Sequence, residues 1–175
     1  MILDEYIKEN RTKTIIATIR VASYIGVKTD WLSFLIWFES RWNHRIVNFQ
    51  PGDDPDPAVR CLKRATGLIQ FMPFSSISLG TNNQKLREMT NYEQMEYVRM
   101  YLSPFKGKCK NWLDLYCSIF WPAAVGKPEN YRITPDIVAK QNPIFDINKD
   151  LDIEKSEIRT VLFKRIPDEY KELFI

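Results

Sequence analysis

The sequence predicts a mainly α fold, formally α+β, with one small β excursion, and three observations carry that reading. Apolar residues recur at helical spacing in several separate stretches. One stretch, 31–41, is apolar almost all round, as a buried central helix must be. The one β-favouring run, 45–49, leads into a turn-rich segment, which suits a small hairpin and not an extended sheet.

The elements follow in chain order. Within 12–25, Ile15, Ile16, Ile19, Ala22 and Ile25 fall near helical spacing, and Gly26 ends that amphipathic helix. Thr29 or Asp30 caps the next helix, Trp31 to about Arg41, whose last turn delivers Glu39 and Ser40. Arg45–Phe49, the PGDDPDP segment at 51–57 and VRCLKRA at 59–65 together predict an antiparallel hairpin with a wide loop. A helix begins after Pro73 and stops at Gly80. Over 91–103, Met95, Val98 and Leu102 share a face, with Asn91 as cap and Gln94 three residues on. Residues 111–121 repeat the pattern through Trp112, Leu115, Ile119 and Phe120, closed by Pro122 and Gly126. From about 134 the chain turns acidic, with an Asp-rich loop at 146–157 before one or two short helices. We therefore divide it into a main domain, 1–133, and a C-terminal extension, 134–175, packed on that domain.

Composition narrows the function. With 175 residues the chain can bury a real core, and its net charge of +3 lacks the dense Lys/Arg stripe of a nucleic-acid binder. Three cysteines without CxxC spacing indicate neither a disulfide framework nor a zinc knuckle. The single histidine, His44, excludes a His-rich zinc site within one chain. The polar, charged start, MILDEYIKENRTKT, leads us to expect no signal peptide and no membrane insertion.

Three segments then carry a resemblance. FLIWFESRWN at 34–43 ends a buried helix on Glu39-Ser40. ATGLIQFMP follows at 65–73, and LYCSIFWPAAVGKP at 115–128 stands third. In this order they resemble the lytic transglycosylase and goose-type lysozyme family, over roughly residues 30–128. The Glu-Ser pair alone is unspecific, whereas the run from Gly67 to Pro73, starting 28 residues after Glu39, is specific. The resemblance implies a lysozyme-like fold and cleavage of the β-1,4 bond between N-acetylmuramic acid and N-acetylglucosamine in peptidoglycan. It also implies Glu39 as the acid/base beside Ser40, with Gln70 reaching the sugar's N-acetyl and hydroxyl groups and Gly67 letting backbone and sugar approach closely.

The residues themselves agree. Glu39 lies between Trp37-Phe38 and Trp42, and aromatic surroundings disfavour a charged carboxylate, which keeps a proton available for a leaving glycosidic oxygen. The third segment departs from the family. Where the family has a Tyr, this chain has Trp121, or Phe120 one register earlier, and only Trp121 retains a donor, its indole N–H. Tyr116, one turn before Phe120, offers a phenol instead.

The family needs one carboxylate, so the expected product is a 1,6-anhydro end. Asp53, Asp54 and Asp56 are the candidates for positioning water if the product is hydrolytic, as in a lysozyme. A non-catalytic wall-binding module, or a structural component of a phage virion or tail, are the competing readings. A phage virion, or delivery to the bacterial cell wall by another route, is the expected location.

No catalytic cofactor is expected. The 146–157 loop, however, matches an EF-hand frame with Asp146, Asn148, Asp150, Asp152, Glu154 and Glu157 at positions 1, 3, 5, 7, 9 and 12, which points to a structural Ca²⁺. The mismatch is Leu151 at position 6, where glycine is usual.

Overall fold

Helix α1 (Arg11–Ile25) ends where Gly26 turns left-handed at φ 85° and donates its N–H to the Ala22 carbonyl at 2.9 Å. The computed structural model, which describes residues 1–175, corrects this helix's phase. The buried stripe is Thr14, Thr18, Val21, Ala22 and Ile25, while Ile16 and Ile19 are 45% and 47% exposed. At 100° per residue, positions 14, 18, 21 and 25 lie along one side and 16 and 19 lie off it. The Thr18 hydroxyl tolerates burial by donating to the Thr14 carbonyl at 2.8 Å.

Helix α2 (Thr29–Ser40) is the buried central helix the sequence predicts, with Leu32 through Trp37 and Ser40 all inside. Neither Thr29 nor Asp30 caps it. The helix starts directly after Lys28 without a side-chain cap, and the Asp30 carboxylate instead accepts the Ile2 N–H at 3.0 Å.

The hairpin expected at 45–65 does not form. Isolated bridges, Val47 with Thr66 and Thr66 with Phe71, replace it, and 57–60 is helical as α3 (Pro57–Arg60). Asp56 accepts the Ala58 N–H at 2.8 Å and Pro57 stands at the first helical position, a start signal that outweighs the β preference of Val59.

Helices α4 (Pro73–Ser78) and α5 (Asn83–Glu88) follow, α4 opening on Pro73 as expected. Helix α6 (Asn91–Leu102) is capped one residue earlier than predicted, by a reciprocal pair between Thr90 and Glu93. Asn91 and Gln94 are therefore released from capping, and both are buried. Helix α1 packs on α2 and α6. These elements form one compact unit, Met1–Lys106.

The second unit, Gly107–Ile175, holds α7 (Trp112–Phe120), β1 (Arg132–Ile133), α8 (Asp136–Gln141), β2 (Ile153–Glu154) and α9 (Lys155–Phe163). The division drawn from sequence after residue 133 falls inside this unit. Strands β1 and β2 pair antiparallel, Ile133 opposite Ile153, and form the one sheet of the chain. The fold is mainly α, about 54% helical.

A buried ion pair organises the second unit. Lys155 and Asp114 are each 2% exposed and meet at 2.6 Å. The Lys155 ammonium also donates to the carbonyls of Ala124 (3.1 Å) and Lys127 (2.7 Å). The Asp114 carboxylate accepts from the Lys110 and Gly126 amides at 2.9 and 3.0 Å. Burial alone would raise the Asp114 carboxyl, but these partners outweigh it and hold it below its ordinary value. No helix is long and apolar enough to cross a membrane.

Candidate active site

The site grows from the end of α2. Glu39 is its penultimate residue and half-buried, and Ser40, 1% exposed, turns its hydroxyl back to the Ile36 carbonyl at 2.9 Å. The helix then stops without a glycine. Arg41 and Trp42 both take left-handed backbone, at φ 52° and 60°. Each such residue costs roughly 1–3 kcal/mol and persists only where its surroundings hold it. Here the Arg41 guanidinium lies 3.4 Å from the centre of the Trp37 ring, and the Trp42 side chain is buried to 2% exposure. Trp37 is held in turn by the ring of Tyr6 at 5.9 Å and of Phe34 at 6.0 Å. The indole N–H groups of Trp37 and Trp42 are both buried without a protein acceptor.

The second motif is a closed loop. Thr66 and Phe71 exchange backbone hydrogen bonds of 3.0 and 2.8 Å, pinching Gly67–Gln70 into a four-residue turn. Gly67 sits at φ 80° and Gln70, another non-glycine, at φ 53°. The Gln70 amide, half-buried, donates to the Gly67 carbonyl at 3.0 Å.

Two buried amides hold this loop, and one of them ties it to the chain that follows Glu39. Gln94 on α6 accepts from the Leu68 N–H at 3.0 Å and donates to the carbonyls of His44 (2.8 Å) and Leu86 (2.6 Å). Asn83 donates to the carbonyls of Arg64 (2.8 Å) and Phe71 (3.1 Å). A Cβ on Gly67 would stand 2.5 Å from the Gln94 amide oxygen. Within the protein, the close approach that demands glycine here is to Gln94. Gln94 was readable as a buried residue: it shares the helical stripe of Val98 and Leu102, four and eight residues on.

The loop acids are occupied. Asp53 is forked onto Arg64 by contacts of 2.7–2.9 Å and accepts the Gln50 N–H at 2.8 Å. The Arg64 hydrogen bonds hold its carboxyl below the ordinary value. Asp54 accepts the Asp56 N–H at 2.8 Å, and Asp56 caps α3. His44, nine residues before Asp53, is 7% exposed, and burial with the charge of Arg45 lowers its pKa.

The remaining predicted residues lie in the second unit. Tyr116 is buried against Phe120 and Phe145, both ring centres at 5.9 Å. Trp121 follows α7, half-buried, its backbone N–H returned to the Cys117 carbonyl at 2.8 Å.

The acidic loop at 146–157 follows α8 and runs into α9. Leu151 takes the left-handed conformation at φ 67°, Ile153 at position 8 pairs in the sheet, and Glu157 lies in the first turn of α9. Its side chains are otherwise engaged. Arg132 bridges Asp150 at 2.8 Å and Asp152 at 2.7 Å. Asp146 accepts the Asp150 and Leu151 N–H groups, and Glu157 accepts those of Ile147, Asn148 and Glu154. No three His, Cys, Asp or Glu side chains converge as a metal-binding group. As arranged the loop does not fit a Ca²⁺ cage, because the Arg132 guanidinium supplies the counter-charge.

No family model, curated protein or solved structure matches the chain.

Proposed function

We propose that the chain is a peptidoglycan-cleaving glycosidase, a lytic transglycosylase with Glu39 as its single acid/base. One observation carries the reading. Three of the seven non-glycine residues with left-handed backbone, Arg41, Trp42 and Gln70, fall in the first two of the three segments that carry the family resemblance, and Gln94 ties the second segment to His44, the residue after the first.

The chemistry needs one carboxyl group. Glu39 gives its proton to the bridging glycosidic oxygen as the bond from the muramic C1 to that oxygen breaks. The acetamido carbonyl of the same sugar stabilises the electron-poor C1. Glu39, now a carboxylate, takes the proton of the 6-hydroxyl as that oxygen bonds to C1, which closes a 1,6-anhydro ring and restores the acid. The engagement of Asp53 with Arg64 supports this outcome over the hydrolytic one, since an ion-paired carboxyl with a lowered pKa is a weak base for activating water. The substrate sets the location, the bacterial cell wall, reached from a phage virion or by another carrier.

The test is mass spectrometry of peptidoglycan digested by wild-type and Glu39→Gln protein. Anhydro-muropeptides from the wild type, and loss of at least about 10²-fold in rate for the variant, are expected. A variant that keeps a tenth of wild-type turnover removes Glu39 from the role.

A further inference from the structure

Two cavities of the first unit share Arg45 as a wall. The larger, about 710 Å³, is lined by Arg45, Lys85 and Arg87 with one acid, Glu88. The smaller, about 340 Å³, is lined by Lys8, Arg41 and Arg45 with one acid, Glu9. Five cations thus face two carboxylates along a strip that begins two residues after Glu39.

Three of these cations are left without a carboxylate partner within the protein. Arg11, Arg64, Arg99, Arg132 and Arg159 each find a carboxylate, whereas Arg45, Lys85 and Arg87 enter no ion pair. The Arg87 Nε is buried without any acceptor. Arg45 is oriented by a neutral neighbour, donating from Nε to His44 Nε2 at 3.2 Å, and lines both cavities. Burial and the Arg45 charge disfavour protonation of His44, so it serves as an acceptor. The net charge of the chain also resides here: residues 1–106 carry 14 Lys and Arg against 11 Asp and Glu, and residues 107–175 carry 11 of each.

An unpaired guanidinium in a concave wall can grip a carboxylate or a phosphate by two parallel hydrogen bonds. Cations gathered in two hollows and interrupted by acids suit separate carboxylates better than the continuous phosphate track of a nucleic acid. We propose that this strip binds the carboxylates of the peptide stems borne by the glycan, so that the enzyme prefers peptide-bearing strands to bare ones. The inference rests on the peptidoglycan reading above.

The experiment measures binding of Glu39→Gln protein, which leaves the polymer intact, to purified glycan strands with their peptide stems and to the same strands stripped of them. Peptide-bearing strands are expected to bind roughly tenfold tighter, the gap closing as salt is raised. Adding Arg45→Gln, Lys85→Gln and Arg87→Gln should abolish the gap while binding to stripped strands and the melting temperature stay unchanged. Equal binding of both strands, a preference that survives the three substitutions, or equally tight binding of a DNA duplex each overturns the proposal. Wild-type cleavage without the preference sinks this inference alone. Absence of both cleavage and glycan binding sinks the enzymatic reading with it.

Discussion

Gln94 and Gly67 are a matched pair, and each can be tested alone. Replacing Gln94 by Met keeps its length but leaves the Leu68 N–H and the His44 carbonyl without their partner, while the Leu86 carbonyl keeps the Met89 N–H at 3.2 Å. A buried unsatisfied backbone group costs roughly 1–3 kcal/mol, so the variant should lose about 2 kcal/mol or more in urea unfolding. Gly67→Ala meets two penalties, the φ of 80° and a methyl 2.5 Å from the Gln94 oxygen. A loss below about 1 kcal/mol would show that the loop has room the geometry denies. The double variant Gly67→Ala with Gln94→Ala should recover part of the clash, a coupling that a thermodynamic cycle reads directly. The residues proposed to carry the chemistry, Glu39 and Gln70, are legible one at a time from their motifs. The role of the amides that hold them is hidden in the sequence, because a Gln three residues into a helix start has the pattern of a cap, whereas the cap lies at Thr90.

At the scale of elements, helices were readable and the β excursion was misplaced. Helix signals are local: Pro73, Gly26 and the apolar run of α2 act within a turn or two of themselves. Strand pairing is not local, and residues 132–133 with 153–154 carry too few residues to show alternation. The same element scale holds the Lys155–Asp114 pair, whose partners lie 41 residues apart. Breaking it with Lys155→Met strands a buried carboxylate and should cost roughly 3–5 kcal/mol in the second unit. The Asp114 carboxyl is lowered on folding, so its contribution is present above its ordinary value near 3.8 and disappears as pH falls through the lower folded value. Burial raises the Cys109 and Cys117 thiols to about 11 and about 12 from an ordinary 9. Their contribution is present below pH 9 and fades as pH climbs toward the folded values. Near-ultraviolet dichroism of Trp112 and Trp121 should therefore lose amplitude at both extremes, with Lys155→Met removing the acid edge. In the acidic loop, Arg132 occupies the Asp150 and Asp152 carboxylates, so we expect millimolar Ca²⁺ to raise the melting temperature more in Arg132→Gln than in the wild type. Equal responses would mean that guanidinium and ion do not compete.

The whole molecule decides between the two enzymatic outcomes. If the sugar's own hydroxyl attacks, Asp53→Asn, Asp54→Asn and Asp56→Asn slow cleavage only modestly and the products stay anhydro. If one of them positions water, that variant loses on the order of 10²–10⁴-fold and the digests show reducing ends. Oxygen-18 water, incorporated only by hydrolysis, reports the same choice without mutagenesis. Asp56→Asn should also cost little stability, because Asn caps a helix almost as well as Asp. All three cysteines, Cys61, Cys109 and Cys117, are buried and unbridged. While folded, the protein is therefore indifferent to the oxidants around it, and added reductant should leave its melting temperature unchanged. Once unfolded it presents three thiols, an odd number that cannot all pair within one chain, so oxidation leaves at least one to cross-link to a neighbour. Refolding yield, not native stability, is where the redox state of the surroundings is recorded: high from dilute reduced chains, and falling with both chain concentration and oxidant.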